Sequence, residues 1–569
     1  MCSVVNNLRN NMLPLKKWKI LNSNPKLPVI DVILKNRNLS LDHLEKFKLS
    51  DRLHNPFLAI DMEKGVDRIL TAIERNERIT IFGDYDVDGI VSIVLMLKFF
   101  EKIEYPVNYF LPDRSKDGYG LKENSVERAY KDKTDLLITV DNGISSVEAV
   151  NLAKSYHMDV IIIDHHIQKG ELPDAYAVID PNRKDCPYPF KGLCGAGLVY
   201  KLFQAIGKNF FTEGEYKNFM LSQLDLVALA TIADIVPVID ENYALLKFGL
   251  KSLNHTMRPG LVELKRVSGL LGKEITPVSV GYYLAPRINA AGRLEDAKKS
   301  VELLLSRSRE QAESLAKELN SLNMKRQQLQ DFYITQSLER ISRDYLDKNR
   351  LIIVENEEWE SGLVGLIAGK LKEKFFRPVI IFTLDEKGNY IGSARSIDTF
   401  NITEALDTFK DLLLTFGGHR KAAGLTIKAD HYHQFKQSFT EFVNRRLNID
   451  EMIPHLVIDS LITAEQLNYS TVQTIKEIGP FGEGNPEPVF LLKDVWMKEI
   501  FHLSGGKHLK FIVQADNQRY ECVWWSKGDL KDQIKFDSKV DIVFTPTINL
   551  WKGYSKIQLS IEDLSISNL

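Results

Sequence analysis

The chemistry of this chain starts at Thr80–Ser92, T-I-F-G-D-Y-D-V-D-G-I-V-S, where Asp84, Asp86 and Asp88 occupy alternate positions. Alternation puts like side chains on one face of extended chain. Three carboxylates sharing a face repel unless a cation lies among them. An isolated D-x-D is most often an acidic surface turn, but here the pattern returns downstream. Leu136–Val140 ends in Asp141-Asn142-Gly143, and Val160–Ile163 ends in Asp164-His165-His166. The apolar helix Leu224–Ala233 runs into Asp234, which alone is either a cap or a ligand and beside the others reads as a ligand. Five aspartates and one histidine can hold two cations if one carboxylate bridges them. Carboxylate mixed with imidazole favours Mn²⁺ and also accommodates Mg²⁺. Two such ions can activate water and stabilise both the attacking and the leaving oxygens of a phosphoryl centre. The residues alone point to metal-assisted hydrolysis of a phosphate ester or anhydride, without saying which phosphate.

The elements that must position these groups are legible as alternating patterns. β-type runs at Ile79–Gly83, Val107–Leu111, Leu136–Val140 and Val160–Ile163 are separated by helical patterns at Gly89–Phe100 and Val147–Tyr156. Such alternation predicts a parallel sheet covered on both faces, with its ligand site at the carboxyl ends of the strands. From Leu294 to about Leu346 a helical stretch without Gly or Pro predicts a connector. A second α/β lobe follows, with strands at Arg350–Val354, Val379–Thr383 and Tyr390–Ala394 and a helix at Gly362–Lys374. Its Gly417-Gly418-His419 reads as a turn, where glycines beside a cation form an anion-binding concavity. From about Ile453, five short alternating runs predict a small barrel, and an OB-fold fits. OB-folds bind single strands by stacking bases on aromatics in a basic groove. Trp524, Trp525, Trp551, Tyr554, Lys507 and Lys510 are the candidates there, with burial in the barrel core the alternative for each tryptophan. The expected domains are a leader (1–60), a catalytic domain (61–293), a connecting helix (294–348), a substrate-binding domain (349–447) and the OB barrel (453–569). Within the leader, Ser40 as an N-cap predicts a short helix over Leu41–Phe47.

At 569 residues the chain is too long for one core. Its 44% hydrophobic and 26% charged residues are those of a globular protein, and no apolar run reaches the length needed to span a bilayer. The segment Met1–Leu15 carries no apolar run of the signal-peptide kind. Four cysteines without a C-x-x-C pair fit a reducing cytoplasm, the expected location, better than a disulfide framework or a zinc site. With a net charge of −2, any polyanion site must be a local basic groove.

Asp164-His165-His166 after an apolar strand, with D-x-D upstream, resembles the DHH phosphoesterase superfamily. The resemblance runs from about Phe57 to the C-terminus, and its nearest form is the RecJ family of single-strand-specific 5′→3′ exonucleases. The motifs carrying it are Gly83–Gly89, Val140–Gly143, Asp164–His166, Gly195-Ala196-Gly197, Arg287–Arg293 (R-I-N-A-A-G-R), Gly417–His419 and Gly479–Pro486 (G-P-F-G-E-G-N-P).

The resemblance implies that Asp86, Asp88, Asp141, His165 and Asp234 are metal ligands with Asp141 the bridge, Asp84 a further ligand, and His166 near the scissile phosphate. Asp164 would orient the histidines. Arg114 would help hold a 5′-terminal phosphate, as would Ser393 and Arg395 of a DHHA1 domain, where Gly417, Gly418 and His419 approach the substrate. Arg287, Asn289 and Arg293 would bond phosphates, and Arg326 and Gln327 of the connector are contact candidates. It also implies a single-stranded DNA substrate with a 5′ phosphate, roles in repair and recombination, and a single-strand-binding protein and a RecQ-type helicase as partners. The alternatives are a small-substrate phosphoesterase and an inactive replication scaffold. Two positions depart from the pattern: Phe82 stands where some members carry histidine, and Glu360 follows Trp359 where relatives usually have histidine.

Overall fold

The computed structural model describes residues 15–40, 45, 47–112, 120–168, 170–551 and 554–566. The helix expected over Leu41–Phe47 and the loop carrying Arg114 lie largely or wholly outside them. The chain forms two compact units. One is Lys46–Leu329 with Pro480–Pro486; the other joins the described part of Met1–Glu45 to Gln330–Gly479 and Glu487–Leu569.

Strand β1, Lys17–Ile20, belongs to the second unit and is taken up below. The first unit is built on a five-stranded sheet of β2 (Ile79–Gly83), β3 (Val107–Phe110), β4 (Leu136–Val140), β5 (Asp159–Ile163) and β6 (Ala177–Ile179). The spatial order is β3-β2-β4-β5-β6, and every pairing is parallel. Strand β6, only three residues long, is absent from the sequence reading. Alternation along the strands feeds two cores. Ile79, Ile81, Leu136, Ile138, Val140, Ile161 and Ile163 pack on one side with Ile93, Phe99, Phe203 and Leu226. Phe82, Leu137, Val160 and Ile162 pack on the other with Phe110 and Val150. Both faces are thus apolar, as a parallel sheet requires. Phe82 is fully buried and meets Phe110 edge-on at 5.1 Å. Its ring is core, so this position contributes no metal ligand here.

The connector is not one helix. It breaks into Lys298–Leu305, Arg309–Arg340 and Arg343–Lys348. The middle piece has 32 residues, about 48 Å at the helical rise. The segment Arg287–Arg293 lies within its own helix, Ala285–Leu294, which follows a π-helical turn at Val280–Leu284.

The second unit holds a mixed sheet of β7 (Ile352–Glu355), β8 (Val379–Leu384), β9 (Tyr390–Arg395), β10 (Thr415–His419) and β11 (Ala422–Ile427), in the order β10-β11-β9-β8-β7. Gly417-Gly418-His419, expected as a turn, ends a strand instead and pairs antiparallel with Ala422–Gly424. The helix Ala429–Arg446 covers one face through Phe435, Phe439 and Val443, which pack with Ile380 and Phe382.

Beyond this sheet come β12 (His455–Ile458), β13 (Ser460–Leu461), β14 (Phe490–Leu503), β15 (His508–Ala515), β16 (Gln518–Trp524), β17 (Lys539–Trp551) and β18 (Tyr554–Ile566). Pairing of β14 with β17 closes β14-β15-β16-β18-β17 into a five-stranded barrel. The leader does not stand apart from it. Strand β1 pairs in parallel with β12, Arg37 forms an ion pair with Asp459 at 2.8 Å, and the Trp18 indole donates to Asp563 at 2.9 Å. Sequence distance hid this pairing, because β1 is four residues long and its partner lies more than four hundred residues away.

Asp563 is fully buried and also accepts the amides of Leu15 and Lys16, at 3.0 and 2.9 Å. Asp563→Ala strands the three donors of Leu15, Lys16 and Trp18, and denaturant unfolding followed by tryptophan fluorescence is expected to show a loss of about 3 kcal/mol.

Candidate metal centre and phosphate-binding surface

The carboxyl ends of the first unit's strands carry the cluster. Asp84 follows β2, Asp141 follows β4, and Asp164 with His165 and His166 follows β5. Asp86 is the N-cap of the helix Val87–Lys102, its carboxylate accepting the amides of Asp88 and Gly89, both at 3.1 Å. Asp88, in the first turn of that helix, accepts the amides of Gly195 and Ala196 at 2.6 and 2.8 Å. These amides open the helix Gly195–Ile206, whose positive end suits a carboxylate. The close approach requires glycine at 195, since a Cβ there would sit 2.7 Å from that of Asp141. Asp234 caps the C-terminus of Glu213–Ala233, and its carboxylate reaches the cluster, 3.7 Å from His165 Nε2.

His165 Nε2 lies 3.1 Å from Asp141 Oδ1 and 3.7 Å from oxygens of both Asp88 and Asp234. Three groups have ligand atoms within 4.8 Å of one another: Asp84 with Asp86 and Asp141; Asp88 with His165 and Asp234; Asp141 with His165 and His166. Asp141 Oδ1 and His165 Nε2 are buried without a hydrogen-bond partner. Two orphaned donor atoms aimed at each other amid carboxylates fit a divalent cation. Asp141 itself sits at φ 61°, in the left-handed region. Its turn is pinned by Thr139 Oγ1 donating to the Asn142 carbonyl at 2.8 Å and by the Asn142 amide group donating to the Val140 carbonyl at 2.9 Å.

Asp164 stands behind the histidines. Its carboxylate accepts the Ile144 amide at 2.9 Å, the His165 amide at 2.7 Å, and lies 2.7 Å from His166 Nδ1. Burial pushes the Asp164 carboxyl up, but the bond to His166 and the charges of both histidines outweigh it and bring it to about 2. Burial likewise opposes charge on His166, and Asp164 overrides it, raising the imidazole to about 9. The candidate ligand carboxylates move the other way. Burial, then the charges of Asp88 and Asp86, raise Asp234 to about 9, and burial with the neighbouring carboxylates lifts Asp141 well above its usual range.

Several residues that support this cluster carry no role in the sequence reading. Asp180 follows β6, is fully buried, and is raised to about 8 by burial and then by the Asp164 charge. The signal was present: Val178-Ile179-Asp180 repeats the strand-then-aspartate pattern of Ile162-Ile163-Asp164. Asn182, two residues on, donates to the His165 carbonyl at 2.6 Å. The amides of Gly195 and Ala196 lie within a quoted motif whose function only the fold reveals.

The helix Ala285–Leu294 holds Asn289 turned toward the metal-site helix, its side-chain oxygen accepting the Val87 amide at 3.1 Å. Arg287 donates to Asn320 and to the Tyr283 carbonyl, at 2.9 and 2.6 Å. These two residues therefore brace neighbouring elements. Arg293 is half-buried on the same helix, Arg326 donates to Asn323 at 3.2 Å, and Gln327 is exposed on the connector.

Within the second unit, β9, β11 and β10 align Ser393 with Gly424 and Gly417, and Arg395 with Ala422 and His419. Alternation places Ser393, Arg395, Gly417 and His419 on one face. Arg395 donates to Ser393 Oγ at 3.1 Å. Nothing stands within 4 Å of where a Cβ of Gly417 or Gly424 would be, so the floor beside them is bare backbone. Gly418 points elsewhere, with φ 151°. Glu360 receives a hydrogen bond from the Tyr333 hydroxyl, and Tyr333 stacks on Trp359 at 5.0 Å.

In the barrel, Trp524 is 2% exposed and belongs to the interior, so its ring offers no face to a base. Its neighbour Trp525 is 56% exposed and meets His508 at 5.0 Å. Lys510 is paired with Glu521 at 2.7 Å, and Lys507 is exposed. The side chains of Trp551 and Tyr554 lie outside the described residues.

A parallel sheet that gathers aspartates and paired histidines at its strand ends defines the DHH class, and residues 78–231 match the DHH family, N-terminal domain. Residues 348–445 match the DHHA1 domain and residues 458–563 the RecJ OB domain. The single-stranded-DNA-specific exonuclease RecJ of Dickeya dadantii is 34% identical over 530 residues, covering 88% of this chain and 90% of that protein. The chain belongs to the RecJ family. RecJ of Bacillus subtilis is 37% identical over 516 residues, covering 90% of this chain, which spans 64% of that relative's length. Crystal structures of Thermus thermophilus RecJ in complex with Mn²⁺ and with Mg²⁺ align at TM-scores of 0.79 and 0.76 and 26% and 25% identity, covering 97% of this chain and 80% and 79% of theirs. Among the described residues no helix is long and apolar enough to cross a membrane.

Protons and cations compete for the raised carboxylates. With its pKa lifted from 3.8 to about 9, Asp234 favours the folded metal-free protein below pH 4 and disfavours it as pH rises toward 9. A cation reverses this by replacing the protons. The Mn²⁺-induced rise in melting temperature is expected to be larger at pH 8 than at pH 6, and calorimetric titration in two buffers is expected to show proton release.

Proposed function

We propose that the chain is a metal-dependent 5′→3′ exonuclease on single-stranded DNA, removing 5′-mononucleotides from a 5′-phosphorylated end. The observation that carries this is the buried cluster in which Asp141 Oδ1 and His165 Nε2, both without a hydrogen-bond partner, face each other at 3.1 Å among further carboxylates. The names of the relatives and the matched OB domain support a single strand over a small substrate.

Asp84, Asp86, Asp88, Asp141, His165 and Asp234 would hold two divalent cations. Asp141 groups with Asp84 and Asp86, and its Oδ1 stands 3.1 Å from His165 Nε2 of the other ligand group, which supports it as the bridge. Bound cations supply an activated water and charge neutralisation at the phosphate. The mix of imidazole with carboxylate favours Mn²⁺. His166, held by Asp164 and charged at neutral pH, directs its other ring nitrogen as a donor to the developing negative charge. On the second unit Ser393 and Arg395 bind the 5′ phosphate through charge-assisted bonds, over the bare backbone of Gly417 and Gly424. His419 stands at the same face for the next phosphate, with Arg114 and Arg293 as further cationic contacts. Trp525, an exposed aromatic of the barrel region, is the candidate for stacking on a base. Action in the cytoplasm, in repair and recombination alongside a single-strand-binding protein and a RecQ-type helicase, is proposed on the family resemblance.

The test offers three substrates with Mn²⁺: a 5′-phosphorylated single strand, its duplex, and pyrophosphate. Mononucleotides are expected from the 5′ end of the single strand alone. Asp141→Ala is expected to lower that rate about a thousandfold or more. Preference for pyrophosphate would contradict the exonuclease reading.

A further inference from the structure

The motif G-P-F-G-E-G-N-P at Gly479–Pro486 has no part in the chemistry above. Residues Pro480–Pro486 nevertheless belong to the unit that carries the metal centre, although the chain on either side belongs to the other. The segment is a tight turn. Gly482 and Asn485 exchange backbone hydrogen bonds at 2.9 and 3.2 Å, and the buried Asn485 side chain donates to the Pro480 carbonyl at 3.0 Å.

This turn seats on Pro237–Ile239. The amide of Val238, a residue only 4% exposed, donates to the Glu483 carbonyl at 2.7 Å. A buried amide must find a partner, and the turn supplies it. The contact leaves no room for side chains. A Cβ on Gly482 would lie 2.6 Å from Val238 Cγ2, and Gly484, at φ 73°, would place one 3.3 Å from Pro237 Cβ.

The surface so gripped leads directly to two metal ligands. Asp234 lies three residues before Pro237, and between them Ile235 is held at φ 58°, a strained conformation for a β-branched residue. Such a residue persists only where its surroundings over-determine it. The fully buried Asn242 donates to the Pro237 carbonyl at 2.9 Å and to the Gly192 carbonyl at 2.6 Å. Gly192 opens the short run to Gly195 and Ala196, whose amides hold Asp88.

We propose that Pro480–Pro486 is a clasp that positions the carboxylates of Asp234 and Asp88 for divalent cations. The proposal rests on the metal-site reading and not on the identity of the substrate. Its members touch neither substrate nor cation; they are positioning residues acting through Pro237, Val238 and Asn242.

The test measures Mn²⁺ binding to the metal-free full chain by electron paramagnetic resonance of free Mn²⁺, without any substrate. Gly484→Val and, as a milder variant, Asn485→Ala are compared with Asp563→Ala, which lowers stability by removing the contacts to Leu15, Lys16 and Trp18. Mn²⁺ affinity is expected to fall about tenfold or more in the clasp variants and to stay at the parent value in Asp563→Ala. If Gly484→Val does not fold, Asn485→Ala decides alone. Clasp variants that bind Mn²⁺ within about twofold of the parent chain, or an equal loss in Asp563→Ala, would overturn the proposal. Loss of Mn²⁺ affinity in a chain that digests no single strand would leave the clasp standing and remove the exonuclease reading.

Discussion

Crowded negative charge is the constraint around which the first unit is arranged. Two unit charges 4 Å apart repel by about 4 kcal/mol at the effective dielectric of a protein site. Asp84, Asp86, Asp88, Asp141 and Asp234 form several such pairs, and a folded domain has only about 5–15 kcal/mol of net stability to offset them. The cluster must therefore take up protons or cations. The raised pKa values of Asp141 and Asp234 describe the first solution, and the ligand geometry the second.

The fold is what keeps the carboxylates together despite this cost. Strands β2, β4 and β5 are sealed on both faces by apolar cores, so their ends stay in register while the loops beyond them bear the charge. Each acid is then restrained by something specific. Asp86 is spent in part on capping its own helix, Asp88 on the amides that open the next, and Asp141 is pinned by a left-handed turn. Asp164 differs from the rest. Its bonds to backbone amides and to His166 keep it ionised, so it stabilises a charged imidazole at the rim instead of competing for a cation.

Much of this was legible because local signals coincide with global ones. Apolar β-branched runs ending in acid announced both the parallel sheet and the site, and regular alternation announced the barrel strands. What escaped was set by tertiary contact. Strand β6 is too short to show periodicity, so Asp180 and Asn182 passed unnoticed. The pairing of β1 with β12 depends on residues far apart in sequence. Trp524 and Trp525 are adjacent and chemically identical, yet the first ends strand β16 inside the barrel and the second falls on the turn beyond it. The bonds of Asn289 to the Val87 amide and of Arg287 to Asn320 join neighbouring elements and left no mark in the sequence.

Anomalous diffraction at the manganese edge from Mn²⁺-soaked crystals tests the central claim most directly. The account predicts two peaks roughly 3.5–4 Å apart, bridged by Asp141, with Asp84 and Asp86 on one side and Asp88, His165 and Asp234 on the other. A single peak, or density that leaves Asp141 and His165 outside the coordination sphere, would contradict it.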